Sequence, residues 1–369
     1  MPEGIHVVLV MNDESAHWTG YRDILADLVD VASVSVAAPA GERLETVKRA
    51  LGGKLRSVVQ DSTELLDRER PQLALITLPA YQAPPVIASA LKAGAHVLAE
   101  KPSAVTDLDY EPLARSALDR DLLLMLAFAG SQRPIVRDAT RIVRRERQLG
   151  ELYGVLAYSV ADQTRVRRKE QQESWFFRRQ LGGGGHLIWL GVHFINMLRV
   201  ITGHEIAEVS AFTNVAGGQP IEVEDSAVLT LRFDNGMLGS FTSAYYIERG
   251  KESQISVWGE HGRLRLHPAE GGPLTVASWL PEFGTHPERT IEYREGAAHG
   301  YHLLVRDAVR AAAGLGDPPT TTWDGLQALR VVHAAYRSAD RGTIEQVLPP
   351  GKWSAASSEL NPAGPARSQ

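Results

Sequence analysis

The first 130 residues repeat one unit, a short and nearly unbroken apolar run followed by a segment of helical spacing. The runs are IHVVLVM (5–11), VASVSVA (31–37), LRSVV (55–59), QLALITL (72–78), AHVLA (95–99) and LLLMLAF (122–128), with helical segments such as 42–51, 81–92 and 107–118 between them. Strands that are apolar on both sides are buried on both faces, and strands that alternate with helices pair in parallel. Residues 1–130 are therefore predicted to form a Rossmann-like, doubly wound α/β domain that binds ligands at the carboxyl ends of its strands.

The rhythm changes after about Gly130. An Arg-rich helical stretch (134–148) leads to a strand at 153–161, a polar basic loop, the glycine run 182–185 and a helix over 186–202. Strands with two-residue alternation follow at 206–213, 226–233, 237–247, 253–258, 263–267 and 273–280, separated by turns such as Asp234-Asn235-Gly236 and Glu260-His261-Gly262. Helices at 299–313 and 324–340 complete the pattern. This predicts an α+β substrate and oligomerisation domain over 131–350, with a large, mainly antiparallel open sheet, and a disordered tail at 351–369. A chain of 369 residues exceeds one ordinary core and fits two.

Composition excludes several classes. With 39 Lys and Arg against 44 Asp and Glu, a net charge of −5 offers no pull toward nucleic acid or an anionic membrane. The absence of cysteine excludes disulfides, thiolate metal sites and thiol nucleophiles. The opening MPEGIHVVLVMNDES lacks a basic leader and a long apolar run, and nothing approaches a membrane span, so the expectation is a cytoplasmic protein.

The first strand-to-helix turn is where phosphate-binding glycines belong. Laid on G-x-G-x-x-G/A, the glycine positions fall on Met11, Asp13 and Ala16, of which only Ala16 is a tolerated substitute. Asp13 and Glu14 place negative charge where a pyrophosphate would lie. A cofactor must use another loop conformation, bind weakly, or not bind. The second strand ends Ala37-Ala38-Pro39 without the acid that holds an NAD ribose, while Arg43 is either a partner for the 2′-phosphate of NADP or a solvated side chain. The cofactor would otherwise meet Met11, Asn12, Thr77, Leu78, Pro79, Glu100, Lys101 and Pro102, all at strand ends. Lys101 is either a proton-handling or substrate-orienting group at the sheet edge, or a loop ion pair with Glu100.

The segment 186–202 is apolar nearly all round, yet His186, Trp189, His193 and Asn196 share one narrow face. Buried polar groups need partners, so this face is expected to line a polar cavity. The alternative is a set of core histidines paired with carbonyls. Zinc is disfavoured, because His186 and His193 are two turns apart with no carboxylate beside them, and no metal is expected. Trp175 and Arg178 read as a substrate lid or as a packed loop.

Together, ALKAGAHVLAEKP (90–102), LGGGGHLIWLGVHFINMLRVITG (181–203) and PPTTTWDGLQALRVVHAAYRSADRGTIEQVL (318–348) give the chain, from about residue 5 to 348, a resemblance to the Gfo/Idh/MocA oxidoreductases. The resemblance implies a Rossmann domain, an open-sheet domain through which oligomers form, and NAD(P)-dependent oxidation or reduction of a sugar, polyol or related hydroxy compound. The family's Glu-Lys-Pro lysine matches Lys101, and the histidine of its Asp-x-x-x-His pair matches His193. Three departures stand out: the glycine fingerprint is missing, the Asp of the pair is Trp189, and a later Asp of that motif is Asn196. A histidine often found shortly after the fourth strand's Thr-Pro is likewise replaced, by Ala83 or a neighbour.

The expected function is thus an NAD(P)-dependent oxidoreductase, with NADP slightly ahead of NAD. Lys101 and His193 act as catalytic groups, and Trp175, Arg178, His186, Trp189 and Asn196 bind a sugar-like substrate in a homodimer or homotetramer. A redox-neutral lyase, hydrolase or isomerase on the same scaffold, and a non-catalytic relative without dinucleotide binding, are the alternatives.

Overall fold

A computed structural model describes residues 4–268, 271–281, 288–294 and 298–347. Six strands, β1 (Ile5–Val10), β2 (Val31–Ala37), β3 (Leu55–Val59), β4 (Leu73–Ile76), β5 (His96–Ala99) and β6 (Leu124–Leu126), form a parallel sheet in the order β3-β2-β1-β4-β5-β6. Its register shows why the apolar runs lack alternation. Leu9 pairs with Val36 and Leu75, Leu75 with Leu98, and Leu98 with Met125, making one buried row on one face. Val8, Ala74, Val97 and Leu124 make the matching row on the other face, and all are buried.

Helices cover both faces. Tyr21 and Leu25 of helix Trp18–Asp27 and Val47 of helix Glu42–Leu51 pack on the Leu9 side, joined by Leu304, Val305 and Ala308 of the late helix Ala298–Ala312. The opposite side receives Leu65 and Leu66, Ile87, Leu113 and, from helix Thr322–Arg341, Leu326 and Leu329. A Thr321–Asp324 capping box starts that helix, each side chain closing on the other's backbone N–H. The two C-terminal helices therefore return to the first sheet.

The remaining strands are β7 (Leu152–Asp162), β8 (Ile206–Asn214), β9 (Ser226–Phe233), β10 (Leu238–Ile247), β11 (Lys251–Gly259), β12 (Gly262–Leu266), β13 (Leu274–Ser278), β14 (Glu288–Ile291) and β15 (Glu345–Gln346). They build a nine-stranded sheet, ordered β14-β13-β12-β11-β7-β10-β9-β8-β15, with β7 and β10 as a parallel pair in an otherwise antiparallel ladder. The α/β plus open-sheet α+β architecture read from the sequence is the one observed. β14, whose residues Glu288–Ile291 show no buried alternation, escaped that reading. The expected disordered tail at 351–369 lies outside the described residues. No described helix is long and apolar enough to cross a membrane.

Candidate active site

Lys101 follows β5 at the carboxyl edge of the parallel sheet. Only 7% exposed, it donates from Nζ to the main-chain oxygen of Trp189 at 2.7 Å and lies 5.1 Å from the centre of the Trp189 ring. Burial lowers its pKa from 10.5 to about 8; Glu100 opposes that shift, while Arg165 and Lys251 add to it. Glu100 is buried beside it and accepts from the Tyr21 hydroxyl at 2.6 Å, with His17 Nδ1 at 3.4 Å. Burial alone would raise this carboxyl, but His17, Lys101 and Tyr21 hold it below its ordinary value. Its Oε1 is buried without a hydrogen-bond partner.

The segment after the glycine run is not one continuous α-helix. Leu187–Gly191 forms a π-turn, in which the Val192 N–H reaches Leu187 O, and the α-helix Val192–Thr202 follows. The wider turn breaks the single polar stripe that 3.6-residue spacing predicts. His193 and Trp189 face the cavity. His186 turns into the second sheet, its Nδ1 2.7 Å from Ser243 Oγ, where burial lowers its pKa to about 3. Asn196 donates to Ser131 Oγ at 2.9 Å and accepts from Arg199 at 3.2 Å, in a buried network away from the cavity. His193 is held neutral, well below its usual range, by burial and by the charges of Lys101, His17 and Lys251. Its Nδ1 is buried without a partner, and the ring lines the cavity.

Glu224 sets the approach to this turn. The N–H groups of Gly185 and Leu187 donate to its carboxylate at 2.8 and 3.0 Å, and the Tyr336 hydroxyl donates at 2.9 Å. A Cβ on Gly185 would meet Glu224 O at 1.7 Å, which explains why the chain carries glycine there. Trp189 is fixed by its indole N–H on Gly184 O at 3.0 Å, stacks on Phe176 with ring centres 3.9 Å apart, and meets Trp175 edge-on at 5.2 Å.

At the first turn, the amides of Asn12, Glu14 and Ser15 are used within the loop. Asn12 N donates to Ser15 Oγ (2.8 Å), Glu14 N to Asn12 Oδ1 (3.0 Å) and Ser15 N to Asn12 O (3.2 Å). Met11 is buried beneath the loop, Ala16 borders the cavity, and Asn12 Nδ2 reaches across to Gln82 at 2.6 Å. Thr77 ties to Val10 O at 3.0 Å, with half-buried Leu78 and buried Pro79 after it, and Pro102 is buried beyond Lys101. Arg43 donates to Asn12 O at 3.2 Å with its guanidinium 5.6 Å from the Trp18 ring. This edge fits a dinucleotide at two points. A ribose hydroxyl is the donor that Glu100 Oε1 lacks, and helix Trp18–Asp27 starts without a side-chain cap, leaving its amides for an anion.

These groups meet in one cavity of about 690 Å³, lined among others by Lys101, His193, Trp175, Trp189, Arg165 and Lys251. Arg178 is exposed and sits outside it, beside Glu222. Sequence reasoning singled out Arg178 within the basic loop and missed Arg165 of the same loop, as it missed His17, Lys251 and Tyr301 at the rim. Among the described residues, no three His, Asp or Glu side chains gather as metal ligands.

A parallel sheet with a buried lysine and a neutral histidine over its carboxyl edge, joined to a large open sheet, makes a two-part α/β architecture whose ligand site lies at the strand ends. The family model for the oxidoreductase family with an NAD-binding Rossmann fold matches residues 12–128, and that for the GFO/IDH/MocA C-terminal domain matches residues 136–265. The chain belongs to the GFO/IDH/MocA oxidoreductases. It is 25% identical over 266 residues to the 1,5-anhydro-D-fructose reductase of Ensifer adhaerens, covering 70% of this chain and 74% of that one. It is 24% identical over 331 residues to the myo-inositol 2-dehydrogenase of Thermotoga maritima, covering 87% and 93%. In fold it is similar to a levoglucosan dehydrogenase solved with NADH and L-sorbose, with a TM-score of 0.82 at 20% identity over 94% of this chain and 99% of that one.

Proposed function

We propose that this chain is an NAD(P)-dependent dehydrogenase or reductase that interconverts a hydroxyl and a carbonyl on a sugar or polyol. The carrying observation is that Lys101 and His193 share one cavity at the sheet edge, one a buried cation and the other a neutral imidazole. The sugar and polyol relatives support the substrate class. A bound nicotinamide dinucleotide supplies or accepts the hydride at the substrate carbon. Glu100 would hold a ribose hydroxyl and the start of helix Trp18–Asp27 the pyrophosphate. Lys101 keeps one N–H on Trp189 O and turns the others to the substrate oxygen, drawing charge onto it. His193 accepts the hydroxyl proton at Nε2 and returns it in the reverse direction. Trp175 and Trp189 offer ring faces for an apolar sugar surface.

Arg43, with no acid at the end of β2, favours NADP(H) over NAD(H). A homo-oligomer is supported by the outer face of the second sheet, where Phe212, Val228, Leu156, Leu238 and Trp258 stand exposed on one side. The test of the activity is nicotinamide reduction followed at 340 nm over a sugar and polyol panel. Lys101→Ala should lower turnover about 100-fold or more while the far-ultraviolet circular dichroism stays unchanged. A folded Lys101→Ala protein with near-normal turnover would remove the lysine from the mechanism.

A further inference from the structure

The cavity carries a local charge excess that proton transfer does not use. The chain as a whole has a net charge of −5, yet Lys101, Arg133, Arg165 and Lys251 line the cavity against Glu14 and Glu100. Both carboxylates are already engaged. Glu14 accepts from Tyr81 at 2.7 Å, and Glu100 is held by Tyr21 and His17. Lys101 donates to Trp189 O, and Arg133 to Pro268 O.

Arg165 and Lys251 are different. Among the described residues neither has a carboxylate within ion-pair distance of 4.0 Å. Asp162 feels the charge of Lys251 and accepts from Thr164 N at 3.0 Å. Arg165 follows β7 and lies 4.8 Å from the centre of the Phe176 ring, which itself stacks on Trp189. Lys251 opens β11 opposite Ala161, on the same end of β7. Both charges reach Lys101 and His186, and that of Lys251 reaches His193, so the two cations bear on the reacting end of the cavity. Both side chains are exposed, with Arg165 acting on the Tyr245 hydroxyl and Lys251 on Asp162, but among the described residues neither is ion-paired, so an anion at this end of the cavity offsets their charge.

We propose that the substrate is an anionic sugar or polyol, whose carboxylate or phosphate is held by Arg165 and Lys251 while its ring lies against Trp175, Phe176 and Trp189. This rests on the oxidoreductase reading for what happens to the bound sugar, and on the cavity alone for what binds.

The test uses the full chain with D-glucose, D-gluconate, D-glucuronate and D-glucose 6-phosphate as probes. Binding is read by tryptophan fluorescence with and without saturating cofactor, and turnover at 340 nm. At least one acid should bind about tenfold or more tighter than glucose, with an affinity that falls as salt rises. A preference for gluconate or glucuronate assigns the anion as a carboxylate, and a preference for the 6-phosphate as a phosphate. Arg165→Gln and Lys251→Gln should each weaken the preferred acid about five- to tenfold and reduce its salt dependence, a larger loss than either causes for glucose. Acid binding no tighter than glucose, or insensitive to both substitutions and to salt, overturns the proposal. Salt-dependent acid binding that needs Arg165, with no cofactor reduced, keeps the proposal and removes the oxidoreductase reading.

Discussion

Lys101 donates to the main-chain oxygen of Trp189 at 2.7 Å, tying the edge of the parallel sheet to the π-turn of the second half of the molecule. The contact fixes the ammonium beside His193. Trp189, which stands where the resemblance puts the Asp of an Asp-x-x-x-His pair, receives the lysine on its main-chain oxygen. Burial lowers the pKa of Lys101 to about 8, against the opposing charge of Glu100.

A pH profile follows from the two catalytic groups. His193, lowered well below 6.5, is already neutral at pH 6.5 and stays so as pH rises. Lys101, lowered from 10.5 to about 8, loses its proton as pH rises through that value. In alcohol oxidation kcat/KM should be level between about pH 6.5 and 7.5, then fall toward tenfold per unit above about 8. A profile that keeps climbing through pH 9 would show that the neutral lysine, not its ammonium, is the active form.

The Glu224 anchor should be structural and severe. Glu224→Ala leaves two backbone N–H groups and the Tyr336 hydroxyl without their acceptor in a buried site. The expected loss is about 3 kcal/mol, since each unsatisfied buried donor costs about 1–3 and neighbours are not additive. Tyr336→Phe, which removes one of the three, should cost about 1 kcal/mol. Gly185→Ala forces a Cβ onto a main-chain oxygen and should be worse than either. Urea midpoints would rank them, and a Glu224→Ala midpoint equal to that of the parent would refute the anchor.

Arg43 makes cofactor choice measurable. Arg43→Ala should weaken NADPH about tenfold and leave NADH within about twofold, as expected for loss of one charge-assisted contact. Equal effects on both cofactors would mean that Arg43 only braces Asn12 O.

The exposed sheet face predicts assembly. Phe212 is 81% exposed and pairs across the ladder with exposed Val228. Phe212→Glu should shift the sedimentation profile toward monomer while leaving secondary structure intact. A parent protein that sediments as a monomer at micromolar concentration contradicts this surface.

The first sheet was legible because its strands are buried on both faces, so Leu9, Leu75 and Leu98 announce themselves without alternation. The placement of Lys101 was legible for the same reason: it follows a buried strand, at the edge where the cavity opens. The return of Leu304 and Val305 to that sheet was not legible, since an amphipathic helix names its apolar face but not its partner. The polar face of the 186–202 segment was misread in part. Even 3.6-residue spacing joins His186 and Asn196 to His193; the π-turn sends His186 to Ser243 instead, while Asn196, on the same regular helix as His193, is drawn off by Ser131 and Arg199. No periodicity marks such a turn, although the glycine run before it was a warning of close approach. Arg165 and Lys251 were hidden because they come to one end of the cavity only through the pairing of β7 with β11, a contact between distant parts of the chain.

Dinucleotide binding is tested most directly by titrating the protein with NADPH and with NADH, following energy transfer from tryptophan to the reduced nicotinamide, after checking a denatured sample for retained cofactor. Trp175 and Trp189 line the cavity and should serve as donors. Binding of at least NADPH should be saturable and micromolar, despite the loop around Asn12 that uses its own amides. No saturable binding of either cofactor, together with none retained, would contradict that expectation and leave the altered turn as the reason.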